Sequence, residues 1–411
     1  MNSKDSDRVV ITGLGIISSI GIGWKEFWKN LIAGKSGISR IETFDTSDFD
    51  RHYAGQVKNF DPQQFIGNRS LSHLGRTSQM ALAATHLAIE DAGLSYEELK
   101  QYRVGISIGT TMGEPQVLEV MNNILIRHGF DDVDPKLVPV YPSNGISASI
   151  ARNLGVTGDN LLLANACSAG NYSFGHAFDN IKLGKADLMV VGGADSFSKL
   201  NLVGFNRLFA VAPEKCQPFD KNRKGMIVGE GAGIVVIETL ENAKKRGAPI
   251  YAEILGYGLS CDAEHMTSPE VKGITKAVTK ALKATGIKPE EVDYICAHGT
   301  GTGQNDKNEA QAVRNIFYTN GHKVPTSSIK SMLGHTMGAA SAIEGIACCL
   351  AIKHNILPPT INYEELDLEC DIDCVPNKSK SQKTKIVLNN SFAFGGNNAC
   401  LVLSSIKNND K

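Results

Sequence analysis

Short apolar runs alternate with longer amphipathic stretches along the chain. Residues 9–11, 104–108 and 161–163 are apolar runs of strand length, and residues 24–33 and 78–92 place apolar side chains at helical spacing. The run at 161–163 consists of three leucines, which is typical of a strand buried on both faces. Strands that alternate with helices of this length predict an α/β fold.

The order of elements repeats in the second part of the chain. A strand at 251–255, a helix at 272–285 and a strand at 294–297 follow one another as in the first part. The glycine turn predicted at 12–15, in ITGLG, has an echo at 256–258, in ILGYG. This internal similarity predicts a duplicated chain.

The repeat predicts two halves, residues 1–250 and residues 251–411. A strand at 327–329 leads into a glycine-rich turn and a small-residue helix at 338–352, which matches the strand, turn and helix around residue 167. We expect a shared site where the strand ends of the two halves meet.

Composition narrows the class of protein. The 411 residues are 42% hydrophobic and 21% charged, as in ordinary globular enzymes. The formal net charge of −1 argues against nucleic acid or an anionic membrane as a partner. There is no apolar signal core at the start and no apolar run long enough to span a bilayer. Nine cysteines without C-x-x-C or zinc-like spacing favour a reducing compartment, so we expect a cytoplasmic enzyme without zinc.

A cysteine occupies the turn after the leucine run. Cys167 follows Asn165 and Ala166 and precedes residues 168–170, which open a helix. The free N–H groups and the positive dipole end of a helix N-terminus favour a thiolate. The small neighbours leave room for a substrate carbonyl. We interpret Cys167 as a nucleophile; the alternative is an inert buried cysteine.

Two histidines of the second half stand beside glycines after predicted strands. His298 lies in CAHGTGT and His335 in KSMLGHTMGAA. A lone histidine is usually structural, but two at strand ends, with a cysteine at a matching place in the duplicate, form a more specific pattern. Lys330, five residues before His335, either supplies a fixed positive charge or is a solvated surface lysine.

Other side chains near these histidines carry weaker signals. Thr300 and Thr302 offer hydroxyl groups at the mouth of a loop, or simply cap it. Asp306 and Glu309 cap and open the next helix, and a carboxylate there can also orient the lysine or a histidine. Phe394, in SFAFGG, is either a core aromatic or a mobile gate beside flexible glycines.

The chain resembles the β-ketoacyl-acyl-carrier-protein synthases of the thiolase superfamily, close to their type II condensing enzymes. The resemblance runs from about residue 9 to residue 403. It rests on NACSAG, GGAD, PFDKNRKGMIVGEGAG, KKRGAPIYAEILGYG, HMTSP, AHGTGT, SSIKSMLGHTMGAA and NNSFAFGG. One cysteine with two histidines separates condensing enzymes from thiolases, which use a second cysteine. The resemblance implies the thiolase-like α/β fold, with five αβαβα layers, in an obligate dimer.

The resemblance also implies a reaction, the decarboxylative Claisen condensation of a cysteine-bound acyl group with malonyl-acyl-carrier-protein. Cys167 is expected to carry the acyl group, and its backbone N–H together with that of Phe394 to form the oxyanion hole. His298 and His335 are expected to hold the malonyl thioester and to promote its decarboxylation. Lys330 is expected to orient this pair, with support from Glu309.

Further roles come from the resemblance alone. Phe394 matches the gate between the acylation and condensation steps. No redox cofactor or zinc is expected; a structural monovalent cation of some relatives is carried over weakly to Glu344 and Asn390. The residues expected to bind the phosphopantetheine arm and the acyl chain are Thr300, Thr302, Met112, Glu114, Gly395 and Gly396.

Departures from the fatty-acid pattern leave the acyl substrate open. Residues 301–306 read GTGQND where housekeeping enzymes have S-T-P-x-G-D, and CDIDCVPN at 370–377 also resembles ketosynthase subunits of type II polyketide systems. Ala393 and Asn397 replace the commoner glycine and threonine. Residues 110–115 match the part of relatives that reaches the acyl pocket, where Met112 is expected to limit depth and Glu114 does not suit a plain alkyl tunnel.

Three function classes share parts of this pattern. The leading one is a condensing enzyme, either of a specialised polyketide or polyene pathway or of housekeeping fatty-acid elongation. A non-catalytic chain-length-factor-like subunit would lack the nucleophile, and a thiolase or coenzyme A acyltransferase would not need His335. The expected partners are an acidic acyl carrier protein, with Lys199 and Arg207 as weak docking candidates, and a second subunit in a homodimer or in a heterodimer with a chain-length-factor-like protein.

Overall fold

The computed structural model describes residues 4–66, 71–267, 269–318 and 323–406. The strands are β1 (Val9–Ser18), β2 (Gly21–Ile22), β3 (Ser39–Arg40), β4 (Tyr53–Ala54), β5 (Val104–Gly109), β6 (Asn160–Leu163), β7 (Leu188–Asp195), β8 (Gly231–Thr239), β9 (Ala252–Cys261), β10 (Tyr294–Cys296), β11 (Thr326–Ser327), β12 (Ile356–Leu357), β13 (Lys380–Ser381), β14 (Ile386–Phe392) and β15 (Asn397–Ser404). The helices are α1 (Trp24–Ile32), α2 (Gln63–Ile66), α3 (Arg76–Asp91), α4 (Tyr96–Leu99), α5 (Pro115–His128), α6 (Gly145–Leu154), α7 (Ala169–Lys182), α8 (Lys199–Arg207), α9 (Leu240–Lys245), α10 (Val271–Thr285), α11 (Gly303–Phe317), α12 (Lys330–Leu333) and α13 (Ala340–His354). Within these four ranges, no helix combines the length and the apolar character that crossing a membrane requires.

The central sheet repeats one strand order twice. The order is β1-β8-β7-β5-β6 in the first half and β9-β15-β14-β10-β11 in the second. The pairing directions agree as well, because β5 and β10 are each parallel to both neighbours, whereas β7 with β8 and β14 with β15 are antiparallel. β1 and β9 join the halves through three residue pairs. The internal repeat of the sequence is therefore a repeat of topology.

Two helices lie between the half-sheets. α7 contacts β5 and β7 of its own half and β9 and β15 of the other, and α13 contacts β14 of its own half and β7 and β8 of the other. Every residue of α13 from Ala340 to Ile352 is buried. This complete burial follows from the position of the helix between two sheets, and it explains why its sequence is apolar on all sides.

The outer helices cover the opposite faces of the sheets. α3 packs on β1 and β8, and α10 packs on β9 and β15. Along β8, Ile234 and Val236 belong to the apolar cluster of α3, while Val235 and Ile237 belong to that of α7 and α13. The layers therefore run helix, sheet, helix, sheet, helix. This confirms the predicted five-layered α/β architecture.

The glycines of ITGLG and ILGYG do not form the predicted turns. β1 continues through Gly13 and Gly15, and β9 continues through Gly258. A Cβ at Gly15 would stand 1.8 Å from the carbonyl oxygen of Ala84 in α3, and one at Gly258 would stand 2.2 Å from that of Ala277 in α10. The prediction was wrong because these glycines allow a helix to lie against a strand instead of reversing the chain.

The leucine run forms an edge strand. β6 stands at the end of the sheet order beside β5. Asn160 and Leu161 are exposed, and Leu162 and Leu163 are only partly buried. Within a single chain the strand is not buried on both faces as predicted, because three apolar residues in a row do not distinguish a central strand from an apolar edge. An exposed apolar edge is a place where another chain can pair.

Candidate active site

The turn between β6 and α7 presents the cysteine. β6 ends at Leu163, a single 3-10 turn spans Ala166–Ser168, and α7 begins at Ala169. Ala166 has a φ of 50°, a left-handed conformation that is uncommon for a residue with a side chain. Cys167 follows it and is buried, with 6% exposure. The structure places the cysteine at the helix N-terminus, as the sequence predicted.

The two histidines reach the cysteine from the second half of the chain. His298 comes two residues after the end of β10, and His335 follows α12. Their ring centroids are 5.3 Å apart and the rings are nearly perpendicular. The sulfur of Cys167 and one nitrogen of each histidine all lie within 4.8 Å of one another. The three predicted residues therefore form one buried cluster.

Hydrogen bonds and burial define the state of the histidines. The backbone N–H of Met337 donates to Nδ1 of His335 at 3.1 Å, so the neutral ring carries its proton on Nε2. Nδ1 of His298 has no hydrogen-bond partner among the described residues. Burial, and after it the charge of Lys330, lower the pKa of both rings well below the usual value. Both are therefore neutral at physiological pH, and His335 is a hydrogen-bond donor through Nε2.

Burial favours the thiol form of the cysteine. Burial raises the pKa of Cys167 to about 12, and the charge of Asp195 acts in the same direction. Lys330 and the backbone N–H groups of Phe394 and Cys167 act in the opposite direction. Burial of the sulfur therefore acts against the thiolate that the helix N-terminus favours. A base must take the thiol proton before the sulfur can attack.

Phe394 stands beside the sulfur. Its backbone N–H and that of Cys167 are hydrogen-bond donors toward Sγ. Its ring centroid lies 6.2 Å from that of Phe205. Gly395 and Gly396 follow with φ angles of 81° and 73°, which a side chain would strain. Two N–H groups that converge beside a nucleophile can hold the oxyanion of a tetrahedral intermediate.

A buried ion pair lies behind the histidines. Nζ of Lys330, in α12, donates to Oε1 of Glu344, in α13. Lys330 is 1% exposed, which removes the alternative of a solvated surface lysine. The sequence assigned the support of this lysine to Glu309. The structure gives the direct contact to Glu344, and Glu309 acts on Lys330 through its charge.

Glu309 holds the loop of His298. Its carboxylate accepts the backbone N–H groups of His298 at 2.8 Å and of Gly299 at 2.7 Å. Burial raises its pKa to about 8, in spite of these two hydrogen bonds. Asp306, one turn earlier in α11, accepts the N–H groups of Thr300 and Gly301. The carboxylates of Glu309 and Asp306 together thus hold the loop that runs from His298 to Gly301.

The cluster opens into a cavity of about 170 Å³. The loop after His298 and the start of α11 contribute polar groups to its lining, and α8 with the segment after it contributes apolar ones. The polar residues are Thr300, Thr302, Gln304 and Asn305, and the apolar ones include Phe205, Leu208, Phe209 and Met226. Hydroxyl and amide groups in this position can hydrogen-bond an extended arm that contains amides.

Comparison of the chain with known protein families identifies the family to which this arrangement belongs. The model of the Beta-ketoacyl synthase N-terminal domain matches residues 6–243, and that of the C-terminal domain matches residues 251–364. The 3-oxoacyl-[acyl-carrier-protein] synthase 2 of Synechocystis sp. is 40% identical over 410 residues, which cover 98% of this chain and 99% of that protein. The chain belongs to the β-ketoacyl synthase family. The Coxiella burnetii protein of the same name is 41% identical to this synthase over 408 residues, covering 97% and 99% of the two chains.

Solved structures of ketosynthases have the same fold as this synthase. The ishigamide ketosynthase/chain length factor is 44% identical with a TM-score of 0.95, covering 98% of this chain and 100% of that one. A type II polyketide ketosynthase, solved with its acyl-carrier protein and a hexaketide, is 32% identical with a TM-score of 0.90 and the same coverage. The synthase is an acyl-transferring condensing enzyme, which confirms the resemblance seen in the sequence.

Some residues expected to bind substrate lie outside the cavity lining. Glu114 is 2% exposed, and its carboxylate accepts the N–H groups of Thr77 at 3.1 Å and Ser78 at 2.7 Å. It caps the start of α3, so it is not free to meet a ligand in this cavity. Met112 packs with Phe197 in a separate apolar cluster.

The glycines of the predicted gate also stay outside the lining. The N–H of Gly395 donates to the carbonyl of Met266 at 2.7 Å, and the carbonyl of Gly396 accepts the N–H of Asp262 at 3.0 Å. These contacts tie the segment after Phe394 to the end of β9. A direct contact of either glycine with substrate stays a prediction.

The sequence reasoning missed one buried carboxylate of the synthase. Asp195 is the last residue of β7, is fully buried, and raises the pKa of Cys167. It ends the GGAD motif, which was used for the resemblance without a role. An acid at the carboxyl end of an apolar strand was the available signal.

The two residues to which a monovalent cation was assigned from the resemblance have oxygen atoms without hydrogen-bond partners among the described residues. Oε2 of Glu344 and Oδ1 of Asn390 are buried and have no hydrogen-bond partner in the described part of the chain. Carboxylate and amide oxygens are ligands that hard cations prefer. The residues fit such an ion in their chemistry, and its binding stays a prediction.

Proposed function

We propose that this synthase extends a polyketide or polyene acyl chain by a malonyl-derived unit on acyl carrier protein. The observation that carries the reaction is the buried cluster in which Sγ of Cys167 and one nitrogen each of His298 and His335 lie within 4.8 Å of one another. Housekeeping fatty-acid elongation is the second candidate. The relatives named 3-oxoacyl-[acyl-carrier-protein] synthase 2 support it equally.

In the first step, the acyl group moves from the carrier to Cys167. The thiol proton passes to the neutral ring of His298, which has one nitrogen within 4.8 Å of the sulfur, and the sulfur attacks the thioester carbonyl. The oxyanion is held by the N–H groups of Phe394 and Cys167. The bond to the carrier sulfur breaks, and the proton passes to that leaving thiolate. The step consumes and releases no net proton.

In the second step, a malonyl thioester replaces the free carrier. Nε2–H of His335 and the ring N–H of His298 hold its carbonyl oxygen, and the bond to the carboxylate breaks with loss of CO₂. The electron pair stays as an enolate, which these two donors stabilise. The enolate carbon attacks the acyl-Cys167 carbonyl, the C–S bond breaks, and the thiolate takes a proton from solvent. The product is a 3-oxoacyl group on the carrier.

The pathway is supported by the loop after His298. Gln304 and Asn305 of the GTGQND segment line the cavity, where the fatty-acid pattern has no such pair of amides. The amide of Asn305 donates to Asp306 within the loop, so Gln304 is the amide that can meet an acyl chain with polar groups, which it suits better than a saturated alkyl chain. The 44% identity to the ishigamide ketosynthase/chain length factor supports the same choice.

The reaction is tested with three variants. Cys167→Ala removes the nucleophile and should abolish acyl transfer to the protein, measured by intact mass. His298→Ala and His335→Ala should leave loading of Cys167 largely possible and cripple release of CO₂ from malonyl-acyl-carrier-protein. Acyl transfer to the Cys167→Ala protein would show that the nucleophile is wrong.

The pathway is tested with a panel of acyl carriers. Wild-type protein is mixed with carriers that hold saturated or conjugated acyl chains of several lengths, and intact mass reports the load on Cys167. Loading of short or conjugated chains in preference to saturated long ones supports the proposal. Efficient loading of saturated long chains supports fatty-acid elongation instead.

Two partners belong to the proposal. An acidic carrier protein would meet Lys199 and Arg207, which are exposed on α8 beside the cavity residue Phe205. A second subunit is supported by an exposed apolar face, where Ile126 and Phe130 are each 81% exposed. That subunit is a second copy or a chain-length-factor-like protein. The cytoplasm stays the proposed location.

A further inference from the structure

One buried carboxylate joins the loop after β5 to the turn that follows His335. Asp195, at the end of β7, accepts the hydroxyl of Thr110 at 2.8 Å and the backbone N–H groups of Thr111 at 2.8 Å and Met112 at 3.0 Å. It also accepts the N–H of Gly338 at 2.6 Å. The first three donors belong to the loop after β5, and the fourth belongs to the turn before α13. Asp195 is therefore shared by segments from both halves of the chain.

The turn at Gly338 is the one that sets the state of His335. Met337 has a left-handed φ of 53°, and its N–H donates to Nδ1 of His335. The next N–H, that of Gly338, points to Asp195. The turn lies so close to the loop after β5 that a Cβ at Gly338 would stand 2.5 Å from the carbonyl carbon of Thr110. A strained turn of this kind persists only when its surroundings hold it.

The charge of Asp195 also reaches the nucleophile. It raises the pKa of Cys167, against Lys330, which lowers it. Burial raises the pKa of Asp195 itself to about 6, against its four hydrogen bonds. Above that value the carboxylate is ionised and can accept from all four donors at once.

We propose that Asp195 is a positioning residue for the decarboxylation step. By binding the N–H of Gly338 it holds the turn whose preceding N–H keeps the proton of His335 on Nε2, where the malonyl carbonyl is held. By binding the loop after β5 it fixes Met112 relative to that turn. The inference rests on the proposed function, because it concerns the malonyl half of the same reaction.

The test variant is Asp195→Asn, which keeps the shape of the side chain. The NH₂ group of its amide faces backbone N–H donors and cannot accept hydrogen bonds from them. Cys167 loading is measured by intact mass and malonyl decarboxylation by CO₂ release. We expect the loss of decarboxylation to exceed the loss of loading by at least about tenfold, since small displacements of a reacting group carry such costs.

A spectroscopic readout separates positioning from general damage. In ¹⁵N-histidine-labelled protein, the nitrogen shifts of His335, assigned with His335→Ala, should report one tautomer in the wild type and a mixture in Asp195→Asn. Glu114→Gln is the matched control, because it removes another buried carboxylate that caps α3 and does not touch the Gly338 turn. It should lower stability while keeping the tautomer signal and the ratio of the two half-reactions. An equal effect of both variants overturns the proposal.

The remaining outcomes are also decisive. If Asp195→Asn does not fold, Thr110→Val removes one donor from Asp195 with little change of shape and should shift the ratio in the same direction by less. If the wild-type protein releases no CO₂ from malonyl-acyl-carrier-protein, the proposed function fails. If it does and Asp195→Asn matches it in ratio and tautomer, the role of Asp195 alone fails.

Discussion

At the scale of single residues, burial and one buried cation together control the protonation of the site, and burial is the larger cause at both histidines and at Cys167. Lys330 lowers the pKa of His298, of His335 and of Cys167. Its own charge is retained by the contact with Glu344. Lys330 is only 1% exposed. Its charge lowers the pKa of the neighbouring groups, and its burial would be costly without the paired carboxylate of Glu344.

Lys330→Met removes this charge and keeps an unbranched apolar side chain. Because the charge lowers the pKa of both histidines, its loss raises these pKa values toward the usual range. The histidines then become protonated at higher pH, and the acidic limb of the decarboxylation profile moves to higher pH. CO₂ release from malonyl-acyl-carrier-protein between about pH 5 and pH 8 measures the shift.

The same variant leaves Glu344 as a buried acid without its partner. Breaking a buried pair in this way is expected to cost about 3–5 kcal/mol in the free energy of unfolding, measured with urea. The double variant Lys330→Met, Glu344→Gln has no unpaired charge and should regain most of this stability while it keeps the shifted profile. A double variant with the wild-type profile would contradict the electrostatic role of Lys330.

The state of the nucleophile gives a second prediction. Since burial raises the pKa of Cys167 to about 12, its thiolate fraction is small at neutral pH and grows about tenfold with each pH unit. The rate of alkylation by iodoacetamide, followed by intact mass in a Cys261→Ser background, should rise up to about pH 9 without a plateau. A plateau in the neutral range would show the thiolate that the helix N-terminus alone predicts.

Residue types could be predicted from the sequence, and their environments could not. Cys167, His298 and His335 were found because nucleophiles and donors at strand ends leave a local pattern. The thiol state of Cys167 was not, because it depends on the burial of the sulfur by segments distant in the chain. The pairing of Lys330 with Glu344 was missed for the same reason, since it depends on how α12 packs on α13.

At the scale of elements, paired glycines set the distance between strand and helix. Gly15 in β1 faces the backbone of α3, and Gly258 in β9 faces the backbone of α10. The two contacts occupy equivalent places in the two halves. In each half, a glycine without a side chain thus sets the distance between the outer helix and the sheet.

Gly15→Ala and Gly258→Ala should each destabilise the protein by about 3 kcal/mol or more, because the added methyl group meets a backbone carbonyl that cannot move aside. Gly204→Ala in α8 is the matched control. Nothing lies within 4 Å of its added Cβ, so it should stabilise by about 0.4–1 kcal/mol. Urea unfolding compares the three. Similar stabilities for Gly15→Ala and Gly204→Ala would disprove the close contact.

The elements were predicted better than their ends. The helices at 78–92 and 272–285 are present as α3 and α10, and Gly93 and Gly286 follow them with φ near 70°. Glycines inside β1 and β9 were predicted as turns, because the sequence shows the lack of a side chain but not which neighbour requires it. The edge position of β6 was missed, because apolar residues indicate burial without saying by what.

At the scale of the whole molecule, the two halves of the duplicated chain contribute different parts of the active site. Each half has a turn with a left-handed residue before a central helix, at Ala166 (φ 50°) and at Met337 (φ 53°). Cys167 follows the first, whereas Gly338 follows the second. A side chain at Gly338 would collide with the backbone of Thr110. One turn therefore supplies the nucleophile, and the other holds the histidine that acts on the second substrate.

The exposed face of the first half predicts a dimer. Ile126 and Phe130 are each 81% exposed, and Leu161 on the edge strand β6 is 36% exposed. Exposed apolar side chains and an open strand edge are each typical of an interface. Ile126→Glu places a charge in it and should convert the dimer to a monomer in light scattering. Leu368→Glu is the control, because Leu368 is 80% exposed in the second half and should leave the mass unchanged.

The dimer also bears on the chemistry. β6 leads within a few residues into the turn of Cys167, so an unpaired β6 leaves that turn supported from one side. The Ile126→Glu protein should therefore lose acyl loading of Cys167 when it loses the second subunit. Loading should return at protein concentrations that restore the dimer mass. A monomeric wild-type protein that loads only after a second, different subunit is added would assign the same face to a heterodimer. Full loading by a monomeric Ile126→Glu protein would separate the interface from the site.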